Sequence, residues 1–116
     1  MALPKKYRLR ERSDFRELKS KGKSFDTPLF KAFFLKDNSK SQSCFGFIIS
    51  KKVSLLAVKR NRLKRLFSEP ILTNLSKVGQ GYRVLFLVKR SCLKNEREIS
   101  HLVLESLKTM RALSND

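Results

Sequence analysis

Apolar residues along this chain fall into two kinds of run. Leu29-Phe30-Lys31-Ala32-Phe33-Phe34-Leu35-Lys36, Cys44-Phe45-Gly46-Phe47-Ile48-Ile49-Ser50 and Tyr82-Arg83-Val84-Leu85-Phe86-Leu87-Val88-Lys89 are short and rich in aromatic and β-branched residues. Each predicts a strand. The polar stretch Asp37-Asn38-Ser39-Lys40-Ser41 reads as a turn, so the first two runs are expected to pair as an antiparallel hairpin. Gly79-Gln80-Gly81 is the turn that introduces the third.

The other runs have helical spacing. Phe15 and Leu18 stand three apart behind Ser13, a natural N-cap, with Asp14 and Glu17 near the positive end of the dipole and Gly22 as a stop. From Ala57 to about Ser68, Leu63, Leu66 and Phe67 fall within an arc of about 100° at helical pitch. Asn61, Lys64, Arg65 and Ser68 gather opposite, and Arg60 lies beside them. This helix has an apolar side and a basic side, and Pro70 is expected to end or kink it. A last helix is expected from about Asn95 to Leu113, with Ile99, Leu102, Val103, Leu107, Met110 and Leu113 as its core stripe. Helices on a small sheet make an α+β fold.

Composition narrows the function. The 116 residues suit one domain, and 41% hydrophobic content with nine Phe is enough for a core. No apolar run approaches a membrane span, and the start lacks the apolar stretch of a secretory signal. Cys44 and Cys92 form neither a disulfide framework nor a metal pair. A reduced, cytoplasmic protein is expected. The formal charge is +17, and it is uneven: 24 basic and 6 acidic residues precede Glu96, against 3 and 4 from there on. A compact fold tolerates such self-repulsion best beside a polyanion, and nucleic acid is the first candidate. The densest stretch, Lys59-Arg60-Asn61-Arg62-Leu63-Lys64-Arg65, has five cations in seven residues, with Lys51 and Lys52 just before it. Lys5, Lys6, Arg8, Arg10 and Arg12 form a second cluster at the start.

Candidate catalytic chemistry is thin. His101, the single histidine, sits in the C-terminal helix pattern, and a Cys44–His101 pair has no third group to orient it. The carboxylates are scattered, and glycines at 22, 46, 79 and 81 cannot build a phosphate loop. No metal site is expected. Most strand aromatics should be core, but some on an open sheet face beside cations would stack unpaired bases.

The segment Ser50-Lys51-Lys52-Val53-Ser54-Leu55-Leu56-Ala57-Val58-Lys59-Arg60-Asn61-Arg62-Leu63-Lys64-Arg65, with Gly46 in the strand before it, resembles the signature of the protein subunit of bacterial ribonuclease P. Arg8-Leu9, Asp14-Phe15 and Gly22 match in order and spacing as well. The loop Val53-Ser54-Leu55-Leu56 departs from the pattern: it lacks the usual glycine and is one residue longer. The resemblance implies a fold like domain 2 of ribosomal protein S5, with a left-handed βαβ crossover through the Arg-Asn-Arg helix. It implies a single RNA-binding domain over 1–116 that binds the catalytic RNA as a monomer in a 1:1 complex and assists removal of 5′ leaders from precursor tRNA. Chemistry would belong to the RNA and its Mg²⁺. Arg60, Asn61, Arg62, Lys64 and Arg65 would then dock on the RNA, supported by Lys51, Lys52 and Lys59. Phe15, Phe30 and Phe33 would line a leader cleft beside Arg8, Arg12 and Lys31. The alternative is an accessory ribosomal or other structured-RNA-binding protein without a processing role.

Overall fold

The computed structural model describes residues 7–9, 12–36 and 43–109. In chain order these form helix α1 (Arg12–Lys21), strands β1 (Lys23–Asp26), β2 (Phe30–Lys36) and β3 (Cys44–Ile48), helix α2 (Ala57–Thr73), strand β4 (Tyr82–Val88) and helix α3 (Ile99–Thr109). Short 3₁₀ turns at Leu75–Lys77, Arg90–Lys94 and Glu96–Glu98 join the later elements. The class is α+β, as expected. The turn over 37–41, the opening Lys5, Lys6 and Arg10, and the last helix beyond Thr109 lie outside the described residues.

Sheet order is β1-β2-β4-β3. The expected hairpin between the second and third strands is therefore wrong. β4 lies between them, antiparallel to β2 and parallel to β3, with Phe33 opposite Leu85 and Leu85 opposite Gly46. Parallel neighbours need a long crossover, and α2 is that crossover. The 4-residue β1 went unforeseen because Lys-Ser-Phe-Asp carries one apolar residue; it is an edge strand pairing only with β2.

Alternation along the strands sorts side chains onto two faces. On one, Phe30, Ala32, Phe45, Val84, Phe86 and Val88 meet Leu63, Phe67 and Ile71 of α2 and Ile99, Val103 and Leu107 of α3. Phe30 lies edge-on to Phe67 and Phe86 at 5.5 and 5.3 Å between ring centroids, while Phe47 stacks on Phe86 at 5.5 Å. Such pairs are worth about 0.5–1.5 kcal/mol each beyond the area they bury. Cys92 is sealed into this layer, its Sγ–H donating to the Leu29 carbonyl at 3.1 Å. Burial pushes its thiol up to about 12.

The other face carries Phe33, Leu35, Cys44, Ile48, Leu85 and Leu87, with Leu18 of α1 and Leu9 packed on Leu85. α1 is pinned there by Glu17, whose carboxylate accepts from the Arg83 guanidinium of β4. Gly22 ends it as expected: its N–H reaches the Leu18 carbonyl at 3.0 Å, and a Cβ would stand 2.4 Å from that oxygen.

Two expectations on α2 fail. It continues through Pro70 to Thr73, because Pro70 and Ile71 are buried and that packing outweighs a cost of about 3 kcal/mol for an interior proline. Ser68, assigned to the basic side, is buried, its hydroxyl donating to the Lys64 carbonyl at 2.6 Å. The last helix begins four residues later than expected, at Ile99.

Candidate nucleic-acid interface

Helical pitch decides what α2 shows to solvent. Leu63, Phe67, Pro70 and Ile71 take the inner side, leaving Lys59, Asn61, Arg62, Lys64 and Arg65 exposed. No acidic residue lies in its first turn, so the basic charge there is undiluted. Lys59, Lys64 and Arg65 make no ion pair among the described residues. Arg62 does, with Glu96 at 3.0 Å, although its own side chain stays 61% exposed. Arg60 is half-buried and donates from Nη1 to the Ser54 carbonyl at 2.8 Å.

The α1 side brings a second set together. Arg8 bridges β3 at Phe45, and the Leu9 N–H donates to the Phe45 carbonyl at 3.0 Å. Arg8 and Leu9 thus run along the outer edge of β3. Gly46 makes this approach possible, since a Cβ there would meet Leu9 at 3.1 Å and the Phe15 ring at 3.2 Å. Here the chain leaves a cavity of about 270 Å³ lined by Arg8, Leu9, Phe15, Phe45, Gly46, Phe47, Lys64 and Ser68. Arg8 and Phe15, expected in one site, and Lys64, expected in the other, share its walls.

Phe33 and Lys31 stand on the same sheet face, with the Lys31 Nζ 5.3 Å from the Phe33 ring centroid. Phe33 is half-buried, two strands from Gly46 across Leu85, about 10 Å at ordinary strand spacing. Phe30 must be corrected. Strand alternation turns it to the opposite face, where it is fully buried between Phe67 and Phe86, so it cannot line a cleft. The side chain of Arg12 lies outside the described residues.

Lys51 and Lys52 are exposed in a turn closed by the Val53 N–H donating to the Ser50 carbonyl at 3.0 Å. With Val53, Ser54, Leu55, Arg90 and Leu93 they surround a shallower hollow of about 450 Å³. Arg90 was missed by sequence reasoning, although the pair Lys89-Arg90 directly after an apolar strand was visible as a charge signal. Also unforeseen is an apolar knuckle at the start of α2, where Leu55, Leu56 and Val58 are 81%, 58% and 78% exposed.

Among the described residues no three of His, Cys, Asp and Glu come together to hold a metal ion. No described helix is long and apolar enough to cross a membrane. What the arrangement offers is a cationic rim and an aromatic, partly apolar floor. That combination suits a phosphodiester backbone with unstacked bases.

Comparison with known proteins points to one family. The family model for ribonuclease P matches residues 3–111. The ribonuclease P protein component of Alkaliphilus oremlandii is 36% identical over 109 residues, covering 93% of this chain and 94% of that protein. That of Microcystis aeruginosa is 34% identical over 97 residues, covering 81% of each. Among solved structures, a mutant of the Staphylococcus aureus RNase P protein described as defective in mRNA degradation superposes with a TM-score of 0.84 at 22% identity, covering 94% of this chain and 92% of that one. The RNase P protein of Thermotoga maritima gives 0.77 at 25% identity, covering 88% and 96%.

Proposed function

The chain belongs to the ribonuclease P protein family, a subunit of the endoribonuclease holoenzyme, and from that premise we propose that it binds the catalytic RNA through the exposed face of α2 and holds the 5′ leader of precursor tRNA at the edge of β3. The observation that carries this reading is the shared cavity, in which Arg8 and Phe15 from one flank meet Lys64 from the other. A leader threaded there would lie against Phe15 and Phe47 while its phosphates face Arg8 and Lys64. Lys64 and Arg65, with Lys59, Lys51 and Lys52 around them, would neutralise phosphates of the folded RNA, and Asn61 would offer it a hydrogen-bond donor and acceptor. Phe33 and Lys31 extend the surface along the sheet.

In this reading bond cleavage belongs to the RNA and the Mg²⁺ it holds. The protein's part is to raise substrate affinity and to offset phosphate crowding, which lowers the Mg²⁺ demand. With about five phosphate contacts, log K should fall against log salt with a slope of roughly −3.5 to −4.5. The test mixes purified protein, ribonuclease P RNA and labelled precursor tRNA at limiting Mg²⁺. Stimulated cleavage at the mature 5′ end is expected. Binding to ribosomal RNA with no such stimulation would replace this reading with that of an accessory RNA-binding protein.

A further inference from the structure

One cation in the run Lys59–Arg65 differs from its neighbours. Lys59, Arg62, Lys64 and Arg65 are exposed, whereas Arg60 is half-buried and turned back towards the preceding loop. That loop, residues 50–56, carries Lys51 and Lys52 up to the start of α2, and little holds it. Val53 reaches the core, but Leu55 and Leu56 are both exposed. Its last residue is held as the cap of α2, the Leu56 carbonyl accepting from the Lys59 and Arg60 amides at 3.1 Å, and its remaining hydrogen bonds are internal. Ser50 accepts from the Val53 amide at 3.0 Å and the Lys52 amide at 3.2 Å, and the Ser54 hydroxyl accepts from the Leu56 amide at 3.2 Å. The internal bonds shape the turn that carries Lys51 and Lys52 without fastening it to α2. Among the described residues, the side-chain hydrogen bond that ties it to α2 is Arg60 Nη1 to the Ser54 carbonyl, at 2.8 Å.

We infer that Arg60 is a positioning residue: it clamps the loop 50–56 so that Lys51 and Lys52 meet RNA in a fixed place, and it acts on RNA through them. This rests on the RNA-docking reading above. A planar guanidinium suits the task, because its donors keep a set direction that a lysine ammonium on a flexible stem does not. Without the clamp, the two lysines would be ordered only on binding, at a cost to affinity.

A binding cycle tests it. Arg60→Gln is expected to weaken binding to ribonuclease P RNA about tenfold in the native chain, but less than about twofold once Lys51→Gln and Lys52→Gln are present, the signature of coupled residues. Equal factors in both backgrounds would mean direct phosphate contact and overturn the inference. So would wild-type affinity in the Lys51→Gln/Lys52→Gln chain or in Arg60→Lys, which keeps the charge but not the rigid fork. A second arm needs no RNA. Hydrogen exchange at the amides of Lys52, Val53 and Leu56 should quicken in Arg60→Gln while β4 amides keep their protection; unchanged loop exchange sinks the clamp. A native chain that fails to bind the RNA defeats the functional reading itself and takes this inference with it, an outcome distinct from normal binding with equal factors.

Discussion

The two faces of the sheet are built from the same strands, with neighbouring residues sent to opposite sides, yet they do different work. Phe30, Val84 and Phe86 face α2 and α3 and are wholly buried beneath those two helices. Phe33, Leu87 and Ile48 face the other way and are only half-buried, because α1 has ten residues and covers part of that side. An aromatic residue deep in the first face is committed to stability, while Phe47 at its β3 edge also reaches the cavity. On the second it has a free surface left over and cations within reach, as Lys31 is of Phe33. Incomplete cover is thus what turns a core-forming composition into a candidate binding surface.

The sharpest way to break this contrast is to truncate one aromatic on each face. Phe86→Ala on the closed face should cost about 3–5 kcal/mol in chemical denaturation, the usual range for a fully buried ring. A loss below about 1 kcal/mol would show that the layer is not the core. Alkaline titration probes the same face through Cys92. Its thiol is raised from 9.0 to about 12 in the folded chain, so the folded state holds the proton more tightly than the unfolded one. Its contribution to stability is complete below about pH 9 and is lost as pH climbs towards 12, with a slope of at most about 1.4 kcal/mol per pH unit. Cys92→Ala should flatten that part of the pH–stability curve relative to the native chain.

On the open face the expected effects move from stability to binding. Phe15→Ala should weaken holoenzyme affinity for precursor tRNA by about 1–3 kcal/mol, the worth of a stacked base, and leave affinity for leaderless tRNA unchanged. Equal losses for both substrates would remove Phe15 from the leader site. Lys64→Gln with Arg65→Gln should flatten the salt dependence of binding to the catalytic RNA by about 1.4–1.8. The smallest effect has the opposite sign. Glu96→Gln releases Arg62 from its carboxylate partner among the described residues and removes a negative charge, so RNA binding should tighten, by no more than about threefold for an exposed pair. Weaker binding would mean that Glu96 holds Arg62 in a productive orientation.

How far this contrast could be read from the sequence depends on range. Leu63 and Phe67 declared the inner side of α2 because a helix face is set by spacing within one segment. Strand alternation likewise separates Phe30 from Phe33. It does not say which of the two faces is left open, since that depends on where α1 docks, through Glu17 on Arg83 and through the bare backbone at Gly46, both far away in the chain. Alternation alone thus excludes Phe30 and Phe33 from one cleft; which of the two it leaves there is the long-range part. The insertion of β4 between β2 and β3 is of the same kind, because two apolar strands joined by a polar turn carry the local signature of a hairpin. Pro70 misled for a different reason: its propensity is local, but its burial against the core is not. The cationic positions of α2 were legible as charge, whereas the bond from Arg60 to Ser54 depends on a loop path that no spacing rule supplies.

The central place of β4 also governs how the chain can be made. β3 takes its strand partner, and β2 its second one beside β1, from residues 82–88, so in a nascent polypeptide halted on the ribosome before Tyr82 the β1–β2 pair and β3 cannot join into one sheet beneath the cationic helix. Maturation waits for that stretch to emerge from the exit tunnel, after which both neighbours can zip onto it together. A product of translation truncated before Tyr82 therefore lacks the central strand of the layer on which α2 packs.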